Sequence, residues 1–168
     1  MNRTAEYWIE HLNLEPHPEG GFFREVYRSE ESIGAPALPK RYESNRNFGT
    51  SIYFLLRSED ISHFHRLQTD EIWHFYHGSP LSLHIINAEG EYATQSLGKN
   101  PENGEQFQFV VPKGAWFGAT VNEPESYTLV GCTMAPGFDF ADFELGNRKK
   151  MLREFPQYEK IIKNLTIN

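Results

Sequence analysis

A single cysteine, Cys132, is all that a chain of 168 residues offers for covalent cross-linking. An intramolecular disulfide is therefore excluded, and with it the stapled secreted scaffolds in which cystines stand in for a core. Cys132 lies in the apolar run Leu129-Val130-Gly131-Cys132 and reads as a small core hydrophobe rather than a nucleophile. Positive charge is scarce too: 16 Lys and Arg face 23 Asp and Glu, for a formal net charge of −7. No basic run could follow a phosphate backbone, so nucleic acid is not an expected partner. Long apolar stretches are missing, so no membrane span is expected either. Met1 to Leu14 carries charges throughout and no apolar centre, which predicts no secretory signal and a cytoplasmic location.

Aromatic residues, by contrast, are plentiful: 13 Phe, 8 Tyr and 3 Trp, 14% of the chain. Such side chains favour pleated, half-buried surfaces. The length suits one domain with a core of its own, 1–168. Thr4 to Leu12 places Trp8, Ile9 and Leu12 at helical spacing behind Thr4 as N-cap. His17-Pro18-Glu19-Gly20-Gly21 breaks it, and an extended run follows from Gly21 to Ser29. Glu30 to Asn47, with Gly34, Pro36 and Pro39, reads as a long surface loop, either a functional lid or a mobile connection.

From Gly49 onward, short runs alternate with turn signals. The runs are Thr50–Arg57, Ser62–Leu67, Glu71–His77, Leu81–Ile86, Tyr92–Leu97, Gln106–Val111, Trp116–Val121 and Tyr127–Met134. Strands at this spacing, without intervening helices, predict an all-β sandwich or barrel. Asn147–Phe155 and Tyr158–Leu165 return to helical spacing, broken by Pro156, with Arg148, Lys149 and Lys150 as a solvated face.

Chemistry concentrates in His63-Phe64-His65, followed by Glu71. Residues two apart on a strand share a face, so both imidazoles are expected to point one way. A carboxylate on a neighbouring strand can join them, giving either a facial ligand set for a divalent metal or an acid–base pair near neutral pH. The alternative is a set of hydrogen-bonded core histidines, with Glu71 in a rim salt bridge to Arg66. Glu71, Trp73, Phe75 and His77 share one face of their strand. Arg24, beside Phe22 in an extended run, is either an anion clamp at the cavity mouth or half of a structural ion pair. Tyr53 and Trp73 could stack on a ligand ring or simply fill the core. Glu19 reads as a turn or interface residue; Asp139, Asp142 and Glu144 as loop and capping residues; His74, His77 and His84 as structural or surface.

These residues resemble the cupin superfamily of double-stranded β-helix, or jelly-roll, barrels. Its first motif is matched by His63, His65, Glu71 and Gly78, with one extra residue between His65 and the carboxylate, so that Asp70 competes with Glu71 for the inward place. Its second motif is matched by Pro112-Lys113-Gly114, but Phe117 stands where a ligating histidine is expected and Asn122 lies one residue late. A narrower resemblance, to the Cupin_5 family of unknown function, covers most of the chain. Its blocks are Leu14 to Arg24 with Tyr27-Arg28-Ser29, Ser51 to Leu56, Ser62 to Leu67 with Asp70 to Trp73, and Val130 to Leu145.

The resemblance implies an all-β cupin barrel with short N- and C-terminal helices, and a small-molecule ligand that is carbohydrate-like or anionic. It leaves three functions open. One is a metal-independent isomerase or epimerase acting on a sugar or sugar nucleotide, with His65 as base, Glu71 and His63 beside it, and Arg24, Tyr53, Trp73 and Phe117 as ligand-binding residues. The second is a metal-dependent oxygenase or isomerase with His63, His65 and Glu71 as ligands. The third is a non-catalytic binding module. Phe117 favours the first and third, so no cofactor is expected, though a divalent metal stays in play. Apolar Phe22, Phe23 and Tyr27 on the first strands lead us to expect a homodimer.

Overall fold

The computed structural model describes residues 3–167. Helix α1 (Ala5–His11) starts where Thr4 accepts a hydrogen bond from the Tyr7 amide. The strands follow as β1 (Glu15–Pro16), β2 (Phe22–Arg28), β3 (Ser32–Ile33), β4 (Arg46–Asn47), β5 (Thr50–Arg57), β6 (Ile61–Arg66), β7 (Glu71–Gly78), β8 (Leu81–Ile86), β9 (Tyr92–Leu97), β10 (Gln108–Val111), β11 (Trp116–Val121), β12 (Tyr127–Met134) and β13 (Glu144–Leu145). Helices α2 (Arg148–Glu154) and α3 (Glu159–Asn164) close the chain.

Two antiparallel sheets form the expected jelly-roll barrel, ordered β1-β2-β5-β12-β7-β10 and β13-β6-β11-β8-β9, with β3 and β4 paired separately. The two inner faces share one apolar core. Phe54, Leu56, Trp73, Val130 and Cys132 come from the first sheet; Leu81, Leu83, Ile85, Phe117 and Ala119 come from the second. Phe64, Ile86 and Trp116 on the back of the second sheet are covered by Met151, Phe155, Ile162 and Leu165 of the C-terminal helices. Helix α1 covers one end of the first sheet, packing on Leu55 and Leu129. The strand bounds follow the turn punctuation because glycine, proline and asparagine stop each ladder where the apolar alternation stops.

The long connection between β2 and β5 is neither a free lid nor a loose loop. Tyr42 is buried and its hydroxyl lies 2.6 Å from Thr69 Oγ1. Arg46, only 2% exposed, donates Nε–H and Nη2–H to the two oxygens of Asp142 at 2.7 and 2.6 Å. A bidentate pair this deep holds only when both partners are present, so it pins the connection to the 139–145 segment. Composition alone hid this, because the anchors are single residues in a polar stretch.

The first strands also differ from expectation. Phe23 turns into the barrel and Phe22 packs in the cluster under α1, with the Arg57 guanidinium over its ring. Only Tyr27 of that trio is exposed.

Candidate functional site

A cavity of about 290 Å³ opens between the two sheets. Its deep part is formed by His17, Glu19, Phe54, His65, Glu71, Trp73 and Cys132, and its rim by Glu25, Arg28, Asp139 and Phe140.

Three expected site residues meet there: His65, Glu71 and Trp73. Glu71, not Asp70, is the inward carboxylate. Its neighbour Trp73, two residues along the same strand face, donates Nε1–H to Glu71 Oε2 at 2.6 Å. Asp70 instead caps the Lys113 amide in an exposed turn. Arg66 pairs with Glu144, which leaves Glu71 free of the rim salt bridge considered above.

His63 does not join them. Phe117 pairs with His65 and Ala119 with Ser62, so three steps along β6 match two along β11. This is a β-bulge, and it breaks the two-residue periodicity. Ser62 and His65 face Glu19, while His63 is half-buried outside the cavity. Gly118 makes room for the bulge, since a Cβ there would lie 2.6 Å from the Ser62 carbonyl oxygen. A metal shell of His63, His65 and Glu71 needs three converging donors, and the bulge prevents that convergence. Phe117, whose ring lies 4.1 Å from that of His65, supplies no further donor and packs behind the site rather than lining it.

Arg24 and Tyr53 face outward. They pair across β2 and β5 on the outer side of the first sheet, and Arg24 donates to the Leu12 carbonyl. The inward residues of β2 are Phe23 and Glu25, with Arg28 reaching the rim beyond a second bulge. Phe22 and Arg24 share one face of β2, and that face is the outer one.

The groups that sequence reasoning missed are His17 and Glu19. They ride on the turn between β1 and β2, which Gly20 presses against β6. At φ +110° and 2.0 Å from the Ile61 carbonyl oxygen, no Cβ fits there. The Glu19 carbonyl then accepts from both the backbone N–H of His63 (2.9 Å) and the ring Nδ1–H of His63 (2.6 Å). His63 thus positions the loop that carries Glu19. The only trace in the sequence is a histidine and a glutamate two apart before paired glycines, a pattern equally suited to a simple turn.

Hydrogen bonds fix where the protons are. His65 Nδ1 lies 2.8 Å from the His63 carbonyl, which can only accept, so the proton is on Nδ1 and Nε2 carries a lone pair. That Nε2 is 3.2 Å from Glu19 Oε2. His17 Nδ1 accepts from the Glu19 amide and lies 3.5 Å from the same Oε2. Glu19 Oε1 accepts from the Ser62 hydroxyl at 2.8 Å. Glu19 Oε2 therefore faces two lone pairs, an arrangement satisfied when this carboxyl holds a proton and gives it to His65.

The electrostatics agree. Burial raises the Glu19 carboxyl above its ordinary value, against the smaller opposing pulls of His17 and Ser62. Burial lowers His65, partly offset by Glu71, and lowers His17 as well. Glu71 is raised to about 7, chiefly by burial and further by Glu19, while His65 and the Trp73 hydrogen bond pull it down. The Cys132 thiol is pushed well up by burial beside these carboxyls, so it stays protonated and acts as wall. The cavity thus holds a neutral imidazole–carboxyl pair and, apart from it, a carboxyl poised near neutrality.

The solved structure of protein SO0799 from Shewanella oneidensis is 42% identical over 99% of both chains, with a TM-score of 0.89. Uncharacterized protein YML079W of Saccharomyces cerevisiae is 29% identical over 148 residues, 83% of this chain and 73% of that one. Oxalate decarboxylase from Bacillus subtilis matches with a TM-score of 0.55 at 15% identity, over 89% of this chain and 36% of its own, a likeness of fold alone. The Cupin_5 family, described as "Cupin superfamily (DUF985)", matches residues 6–146, and the chain belongs to that family.

Proposed function

We propose that this protein is a small-molecule cupin enzyme that moves protons within its barrel without a metal, as an isomerase or epimerase does. The supporting observation is the pairing, inside one cavity, of Glu71, raised to about 7, with the His65–Glu19 pair held neutral by burial. Two groups whose affinities for a proton straddle the working pH can exchange roles: one gives a proton to the substrate while the other takes one. Glu71, as a carboxylate, takes the proton removed from the substrate, and the His65–Glu19 pair gives up the proton that the buried Glu19 carboxyl holds. The reverse transfer restores both, so atoms and charge balance over the cycle. The apolar walls, Phe23, Phe54, Trp73 and Phe143, keep the reacting groups away from bulk water, where such transfers lose their electrostatic leverage. A volume of about 290 Å³ suits one small molecule and not a sugar nucleotide.

The test is isotope uptake. Full-length protein is incubated with a small-metabolite extract in heavy water, and mass spectrometry looks for compounds that gain one deuteron. We expect at least one compound labelled by the native chain, not labelled by His65→Asn or Glu71→Gln, and still labelled by Arg24→Ala. A molecule that co-purifies with the chain yet never takes up deuterium would instead establish a binding module and overturn the catalytic reading.

A further inference from the structure

The charges around the cavity are unequal. Glu19 and Glu71 lie deep, Glu25 and Asp139 at the rim, and a lone fixed cation, Arg28, accompanies them among the described lining residues. That cation is already spent. Arg28 Nε and Nη2 hold the two oxygens of Glu25 at 2.9 and 2.7 Å, while Nη1 donates to Asn47 Oδ1 and to the Phe138 carbonyl. Four of its five N–H groups are thereby committed inside the protein. The two deep imidazoles are neutral and bring no positive charge. A carboxylate or phosphate entering this space meets no free donor of opposite charge among the described lining residues, and it approaches Glu71 and Asp139.

The acceptors, in contrast, are available. Glu71 is 8% exposed, and that exposure is to the cavity it lines. Its Oε2 takes the Trp73 N–H, while Oε1 receives no hydrogen bond from any described residue. Around it stand Phe23, Phe54, Trp73 and Phe143, whose ring faces carry negative electrostatic potential and attract cations.

We infer that the cavity is built for a compact organic cation with N–H donors, such as an amidinium or a protonated amine on a small ring, rather than for an anion. The cationic end meets Glu71 Oε1, and the ring lies among the aromatic walls. The Arg28–Glu25 pair at the rim closes off the one group that would otherwise have recruited an anionic substrate. This rests on the same cavity being the working site, and it gives that site its substrate class. It replaces the carbohydrate-like or anionic ligand expected from the sequence.

Three probes of one shape and different charge test it: benzamidine, benzamide and benzoate, titrated calorimetrically into the full-length protein at pH 8. We expect benzamidine to bind at least tenfold more tightly than benzamide, and benzoate to bind weakest. Glu71→Gln removes the benzamidine advantage and leaves benzamide affinity within about twofold. Benzoate binding as tightly as benzamidine overturns the inference, as does a benzamidine advantage that survives Glu71→Gln, or no binding of any probe. Because the readout needs no turnover, it separates from the proton-transfer proposal: a charge preference without deuterium uptake sinks only the latter.

Discussion

Replacing Glu71 by glutamine isolates what burial of one carboxyl costs this protein. In the unfolded chain Glu71 titrates near its ordinary 4.5, whereas in the fold it titrates at about 7. Between those values the folded chain keeps a proton that the unfolded chain has released. Stability therefore falls as pH rises through that window, and the full cost is present above pH 7. At 1.36 kcal/mol per pH unit the penalty is about 3 kcal/mol. Glutamine keeps an oxygen for the Trp73 N–H and carries no charge. Glu71→Gln should match the native chain near pH 4.5 and exceed it by about 3 kcal/mol at pH 8, or roughly 6–12 °C in Tm for a domain of this size. Urea denaturation at both pH values, followed by circular dichroism, provides the comparison. Equal stability differences at pH 4.5 and 8, or a native chain more stable than the variant at pH 8, would refute the burial argument. A stabilising loss of a buried acid is the pattern expected where function holds a group in an uncomfortable place.

Two further outcomes follow from other parts of the fold. Arg46→Ala leaves Asp142 buried and unpaired, and should cost about 3–5 kcal/mol in urea denaturation; a loss below 1 kcal/mol would mean the pair does not anchor the β2–β5 connection. Tyr27, Tyr76 and Val110 present exposed apolar surface on the first sheet, away from the part that α1 covers. We expect a homodimer in light scattering that Tyr27→Glu with Tyr76→Glu converts to monomer, and a native chain that runs as a monomer would remove that face as a contact.

The barrel was legible because each strand announces itself locally. Thr50–Arg57, Leu81–Ile86, Tyr92–Leu97, Trp116–Val121 and Tyr127–Met134 were read from alternation and turn residues with the bounds they have in the fold. Half of the site was legible for the same reason: Glu71 and Trp73 lie on one uninterrupted strand face. The rest depends on information that no short window contains. His63 and His65 look equivalent in sequence, yet a bulge set by pairing with β11 turns them apart. His17 and Glu19 reach the interior only because a glycine turn docks on β6, more than forty residues away in sequence. Which side of β2 faces inward depends on a two-residue pairing with β1 and on α1, so Arg24 was assigned to a cavity it does not see.

The extra residue in β6 also defines how this barrel could change its trade. Substitution alone cannot bring the His63 ring alongside His65, whatever amino acids surround them, because a strand's facing is counted in residues and not in chemistry. Removing Ser62 would restore even spacing and leave His63 two places from His65 on the inward face. The same cut would release the Glu19 carbonyl from its clamp. Gain of a converging imidazole pair and loss of the proton-sharing carboxyl are therefore a single event in this architecture, and the route between the two chemistries runs through insertion and deletion.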